Sequence, residues 1–262
     1  MAEEMDLDDV WVLCRDVLEN GAPLELNDEM RALLSRAAQQ VAISQQDAED
    51  ALRSHSTAMT LLREIHRRIG EGSNRLHEAR DRVNELQQQV DFDGAQQVVR
   101  DVLAVEVVPF YREQAERTLK QSAGLAEVLA TGRLNPNLPD RPQLAALSQR
   151  VQQGHPLELN DDLRDLLRRT APTAGASETE TEEALKSPEG AEALMGMILS
   201  RFREAKRRLL RAMFRMTSLR DSGDIEGARQ QMRDVLAVEV VPRFRQAAEE
   251  QLRGLDSPPP ES

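Results

Sequence analysis

The sequence predicts an all-α protein made of two tandem homologous helical units. Three observations predict it. First, RDVLAVEVVP at residues 100–109 returns at 233–242, and PLELND at 23–28 returns at 156–161, both 133 positions on. Sliding residues 7–119 onto 140–252 without a gap gives 45 identities in 113 positions, a duplicated whole unit far longer than a solenoid repeat. Second, apolar residues recur at spacings of three and four along both units, the period of an amphipathic helix. Third, 40% hydrophobic and 31% charged residues with only 3% aromatic suit helices with Leu, Val and Ala cores.

In the first unit an amphipathic helix is expected over 7–20, ended by Gly21. A short PLEL connector follows. Asn27 can cap the next helix, over 28–42, with Asp28 and Glu29 in its first turn, where the helix dipole favours negative charge. Ser44 opens another helix, with Asp47 three residues on as an approximate capping box. The strongest periodic stretch comes next. Leu62, Ile65, Ile69, Gly72, Leu76, Ala79, Val83 and Leu86 form a seam of four heptads, repeated as Met195, Ile198, Phe202, Ala205, Leu209, Ala212, Met216 and Leu219. That pattern calls for a long helix packed along an antiparallel partner. Gly70 and Gly72 are expected to loosen it in the first copy only, since Arg203 and Ala205 stand there in the second.

A turn follows at 91–94 and 222–227, and a helix is expected to return from Gly94 or Gly227. Residues 219–236, LRDSGDIEGARQQMRDVL, resemble the hairpin of a tetratricopeptide unit, with Gly223 at the turn and Ala228 where the helices approach. No 34-residue period accompanies it, so the likeness is one of geometry. The β-branched run 102–108 sits in helical phase and is expected to continue the helix until Pro109 or Pro242 kinks or ends it. The expected units are residues 1–131 and 143–253, joined by a proline-rich linker at 132–142 and followed by a disordered tail at 254–262. A separate helix over about 118–131 falls beyond the repeated span. The second copy diverges at 171–190, where Ser187-Pro188 reads as a cap with proline at the first helical position, and mobility is expected there.

Composition bounds function. The net charge of −12 argues against nonspecific nucleic-acid binding, which needs Lys and Arg to displace counterions from phosphates. No apolar run approaches a membrane span. MAEEMDLDDV lacks the basic and apolar regions of a signal peptide, so a cytoplasmic setting is expected. Cys14 is the single cysteine and has Leu147 as its twin, which favours packing over a reactive thiol.

Few residues suggest chemistry. His55, His66 and His77 recur every eleven positions, about 16 Å apart along a helix and too far to share a metal. Their twins are Pro188, Leu199 and Leu210, so half-buried face residues are expected. Residues 201–215 carry a net +6 through Arg201, Arg203, Lys206, Arg207, Arg208, Arg211 and Arg215 against Glu204, and 176–192 carry −5 just upstream. Such a stretch can bind phosphate, an anionic surface or an acidic partner, but a solvated face neutralised by its neighbour is the favoured reading. Arg100, Asp101 and Glu106 recur as Arg233, Asp234 and Glu239, which suggests an ion-pair network or a shared contact surface. None of them is joined by a nucleophile or histidine, and no phosphate loop, zinc spacing or nucleophile elbow occurs, so no catalytic residue, cofactor or metal is expected.

The stretches 21–38 (GAPLELNDEMRALLSRAA), 51–69 (ALRSHSTAMTLLREIHRRI) and 219–242 (LRDSGDIEGARQQMRDVLAVEVVP) resemble the DUSAM domain, a bacterial paralogous family of unknown function. The resemblance covers both units. It implies no activity and carries over no site residue. The expected function is therefore a noncatalytic protein-binding scaffold or adaptor, with Ile198 and Phe202 of the seam as a docking face or core and a protein partner or second copy as ligand. The alternative is an acidic immunity or regulatory protein that masks a basic partner.

Overall fold

A computed structural model describes residues 7–256, and among these there are twelve α-helices, one 3-10 turn and no strand. The chain divides into a unit ending at Ala126 and a unit beginning at Glu127.

The helices of the first unit are α1 (Leu7–Leu18), α2 (Asp28–Gln40), α3 (Gln45–Ala51), α4 (His55–Gln88), α5 (Phe92–Val105) and α6 (Pro109–Thr131), the last of which runs past the boundary. The second unit has α7 (Asp140–Gln152), α8 (Asp161–Thr170), a 3-10 turn (Pro172–Ala174), α9 (Glu178–Ala184), α10 (Pro188–Asp221), α11 (Ile225–Val238) and α12 (Pro242–Asp256). In place of a separate helix over 118–131, α6 is continuous from Pro109. Gly254 to Asp256 close α12, and the rest of the tail expected at 254–262 lies outside the described residues.

The caps follow the sequence. Asn27 accepts from the Met30 N–H at 2.8 Å, and its twin Asn160 accepts from Leu163 at 2.9 Å. Asp91 and Asp224 accept from the N–H groups of Gly94 and Gly227, so α5 and α11 start two residues before those glycines. Each glycine has a steric reason: a Cβ on Gly94 would lie 2.4 Å from the Asp91 carboxylate.

The divergent stretch 171–190 retains its twin's architecture. Helix α9 has the register of α3, and Ser177 and Glu180 close a reciprocal capping box. Arg168 on α8 pairs with Glu182 on α9 at 2.7 Å. The first copy has its own ties in this stretch, as where the Ser44 hydroxyl donates to Asp47 at 2.6 Å. Ser187 caps α10 with Pro188 at its first position.

The seam is core. All eight of its positions are buried in α4, and six of eight are buried in α10, with Phe202 and Leu219 half-buried. In the first unit α1, α5, the segment between α5 and α6, and the start of α6 cover it, contributing Val10, Cys14, Ala95, Val99, Val108, Tyr111 and Ala115. Gly72 does not loosen α4: a Cβ there would stand 2.3 Å from the Tyr111 ring, so glycine admits the aromatic. The second copy puts Ala205 and Phe244 at those places, with Phe244 edge-on to Phe202 at 6.2 Å. Cys14 is fully buried, and desolvation pushes its thiol up to about 12, which leaves it protonated and unreactive.

The histidines are not one half-buried face. His55 and His77 are exposed, while only His66 is half-buried, stacked on Trp11 at 4.2 Å between centroids.

Candidate interaction surface

The segment repeated without change, RDVLAVEVVP, does not stay helical to its proline. Helix α5 ends at Val105, and Glu106 turns extended (φ −73, ψ 127); α11 ends at Val238, and Glu239 does the same (φ −79, ψ 122). Proline disfavours helical geometry in the residue before it, so Pro109 and Pro242 begin the next helix instead of kinking the last.

The glutamate makes the break possible by folding inward. The Glu106 side chain has no exposed surface. Its Oε1 accepts from the Val107 and Val108 N–H groups at 3.0 and 2.8 Å, and its Oε2 accepts from Arg75 on α4 at 3.0 and 3.2 Å. Glu239 repeats this with the Val241 N–H and Arg208, at 2.8 and 2.7 Å. A buried carboxylate is tolerated when charge-assisted hydrogen bonds satisfy it, and these bonds commit the glutamate to structure. Arg112 then donates to the Leu103 and Glu106 carbonyls that the helix end leaves open, and Arg245 donates to Leu236.

With Glu106 and Val108 turned in, the alternation of an extended segment turns Val105 and Val107 out. Val105 is 60% exposed and Val107 49%; their twins Val238 and Val240 are 57% and 54%. Phe110, half exposed, extends the patch in the first copy.

The expected network of Arg100, Asp101 and Glu106 does not form. Arg100 bonds Gln96 and Asp101 accepts from Gln97, each within its own helix at a spacing of four, while Glu106 faces the other way. Within α11, Arg233 pairs with Glu226 two turns before it, and Asp234 accepts from Gln230 at 2.7 Å. These four are exposed side chains on α5 and α11.

The model of a protein family of unknown function, DUF2379, matches the chain twice, at residues 5–122 and 139–255. The chain belongs to the DUF2379 family. Comparison with curated proteins and with solved structures finds no match.

Both DUF2379 regions hold the whole set of arginine contacts, which the sequence reading missed. Arg31 and its twin Arg164 donate to the carbonyls of Leu52 and Leu185. Arg68 donates to Val41 and Ala42 at 2.9 and 2.8 Å, and Arg201 to Ala174 and Gly175 at 3.2 and 3.0 Å. Together with Arg75/Arg208 and Arg112/Arg245 they bind open helix ends or the buried carboxylate. The signal was present, since all four are arginine at the same register in both DUF2379 copies.

The seam residues Ile198 and Phe202 belong to the core of the second DUF2379 copy. Ile198 has no exposed surface, and Phe202 packs between Phe244 and the Arg141 guanidinium, 4.7 Å above its ring. Among the described residues no group of His, Cys, Asp or Glu is placed to hold a metal, and no helix is long and apolar enough to cross a membrane.

Proposed function

We propose that the chain is a noncatalytic protein–protein interaction scaffold that presents one apolar surface twice. One observation carries this reading. The unbroken identity of RDVLAVEVVP extends beyond the residues its fold consumes. Val102, Glu106 and Val108 are buried, yet the exposed Ala104, Val105 and Val107 are also the same in both copies. Exposed apolar groups placed together mark contact surfaces, and two such surfaces on one chain multiply avidity without new contacts. The glutamate within the motif is fully engaged by hydrogen bonds, which supports a structural role over a catalytic one.

Affinity capture from native cells tests the proposal. Val105→Asp/Val107→Asp and Val238→Asp/Val240→Asp should each weaken retention of a partner, and the fourfold variant should abolish it while far-UV circular dichroism stays unchanged. Undiminished capture by the fourfold variant contradicts the reading.

The motifs quoted above support the further reading that each DUF2379 copy is a DUSAM domain in a bacterial cytoplasmic protein. A second reading, masking of a basic partner, draws on charge: residues 1–126 carry net −10 of the total −12. It requires that the complex dissolve steeply as salt rises, whereas an apolar contact persists.

A further inference from the structure

The second unit carries a surface that the first lacks. A groove of about 430 Å³ runs between α10 and α11, lined by Arg207, Arg208, Arg211 and Arg215 with Glu204 and Asp234. Arg208 is engaged by Glu239, Lys206 also has a partner, and Arg201 holds the carbonyls beneath it. Arg207, Arg211 and Arg215 are exposed, and among the described residues none has a hydrogen-bond or ion-pair partner. They recur every four residues, one above the next along a single helix face.

The register exposes how this arose. The twins of Arg207 and Arg211 are Asn74 and Glu78. Arg215 retains an arginine twin, Arg82, but Arg82 pairs with Glu85 at 2.9 Å and the twin of Glu85 is Ser218. The groove lining is thus net +2, against −1 at the twin positions, in a chain of net −12. Beside the arginines, Leu210 is 55% and Phe214 80% exposed, where the first copy has His77 and Asp81. Structure inside the unit accounts for neither the bare guanidiniums nor the bare phenyl ring.

We propose that this face is the docking site for an acidic amphipathic helix of a partner protein. Carboxylates repeated every turn would meet Arg207, Arg211 and Arg215, and the partner's apolar stripe would cover Leu210 and Phe214. A helix laid along the exposed row of α10 would reach the guanidiniums and the neighbouring apolar pair together. A bilayer or a nucleic-acid strand would instead set an extended negative surface against a chain that is itself strongly negative. This site rests on other residues than the paired valines, and its variants leave Val238 and Val240 in place.

The test is a fluorescence-anisotropy titration of the full chain with a synthetic 18-residue helical peptide bearing glutamate at every fourth position beside leucines. Three variants are compared: Arg207→Asn/Arg211→Glu and Leu210→His/Phe214→Asp, which install the residues of the first copy, and Arg215→Gln, which removes a guanidinium that the first copy keeps. The proposal expects saturable, salt-sensitive binding, weakened about tenfold or more by the arginine reversion and about threefold or more by each of the other two, with unchanged melting. Absence of peptide binding, or binding as tight as the parent's by both Arg207→Asn/Arg211→Glu and Arg215→Gln, overturns it. So does equal or tighter binding of phosphatidylserine vesicles or a 20-nucleotide single strand. Light scattering that shows a dimer dispersed by Arg207→Asn/Arg211→Glu would also overturn it, by making a second copy the occupant.

Discussion

Val90 and Gly223 occupy the same turn 133 residues apart, and both are left-handed, with φ of 59° and 87°. Each follows a long helix, and the next residue closes the same bond: Asp91 N–H to Leu86 O and Asp224 N–H to Leu219 O, both at 2.9 Å. A β-branched residue is strained there, and glycine is not. Val90→Gly is therefore expected to stabilise the first unit by about 0.5–1 kcal/mol despite the freer unfolded chain, and Gly223→Val to cost the second about 1–2 kcal/mol. Ala42 and Gly175 form a second such pair, at φ 61° and 76°. Space distinguishes the two glycines: a Cβ on Gly175 would stand 2.4 Å from the Val240 carbonyl oxygen, while nothing lies within 4 Å of one on Gly223. Gly175→Ala should therefore cost more than Gly223→Ala. Urea unfolding of the four variants checks this order, and equal losses at the two glycines would contradict it.

Removal of the buried carboxylate should be the costliest single change at the α5–α6 junction. Glu106→Ala leaves Arg75 and two backbone N–H groups without their acceptor and should destabilise by about 2–4 kcal/mol. Glu106→Gln retains acceptor capacity and should cost less. An unfolding free energy in urea for Glu106→Ala within about 0.5 kcal/mol of the parent would show that the pair holds nothing together.

Gly72 and Tyr111 should behave as a coupled pair. Gly72→Ala gains about 1 kcal/mol of helix propensity but drives a methyl into the Tyr111 ring, so a net loss of about 1–2 kcal/mol is expected. With Tyr111→Leu in place, the same Gly72→Ala change should become neutral or stabilising. A double-mutant cycle reads the coupling, and simple additivity would contradict the steric account.

Acid should erode the first unit through Glu64. The Arg67 guanidinium, followed by that of Arg68, holds this carboxyl down to about 2 from an ordinary 4.5, against a partial opposing effect of burial. A lowered folded-state value stabilises above the unfolded value and is lost as pH falls through the folded one. The stability difference between parent and Glu64→Gln should be constant above about pH 5 and shrink between about pH 4.5 and 2. Its twin Met197 cannot titrate, so the effect belongs to the first unit. Thermal melts across that range check it, and a pH-independent difference would exclude the Arg67–Glu64–Arg68 cluster as a source of stability.

Periodicity made the helices legible, because burying one face of α4 and α10 leaves an apolar three-and-four pattern that a strand, with its period of two, does not show. Caps were legible where a single side chain sets them, as at Asn27 and Ser187. The break at Glu106 was not, since a charged residue in helical phase says nothing about turning inward until its partner Arg75, 31 positions away, is known. Gly72 was misread for the same reason: its cause, Tyr111, lies on another helix. At the valine surface, sequence alone could weigh identity but not exposure. Only the inward turn of Glu106 and Val108 shows that Val105 and Val107 are left outside.

One apolar surface presented twice should hold two copies of the same partner. Titrating a partner obtained by native capture onto the chain, with bound equivalents read by native mass spectrometry, tests it most directly. Two equivalents are expected for the parent, one each for Val105→Asp/Val107→Asp and Val238→Asp/Val240→Asp, and none for the fourfold variant. The same stoichiometry for the parent and the fourfold variant would contradict it.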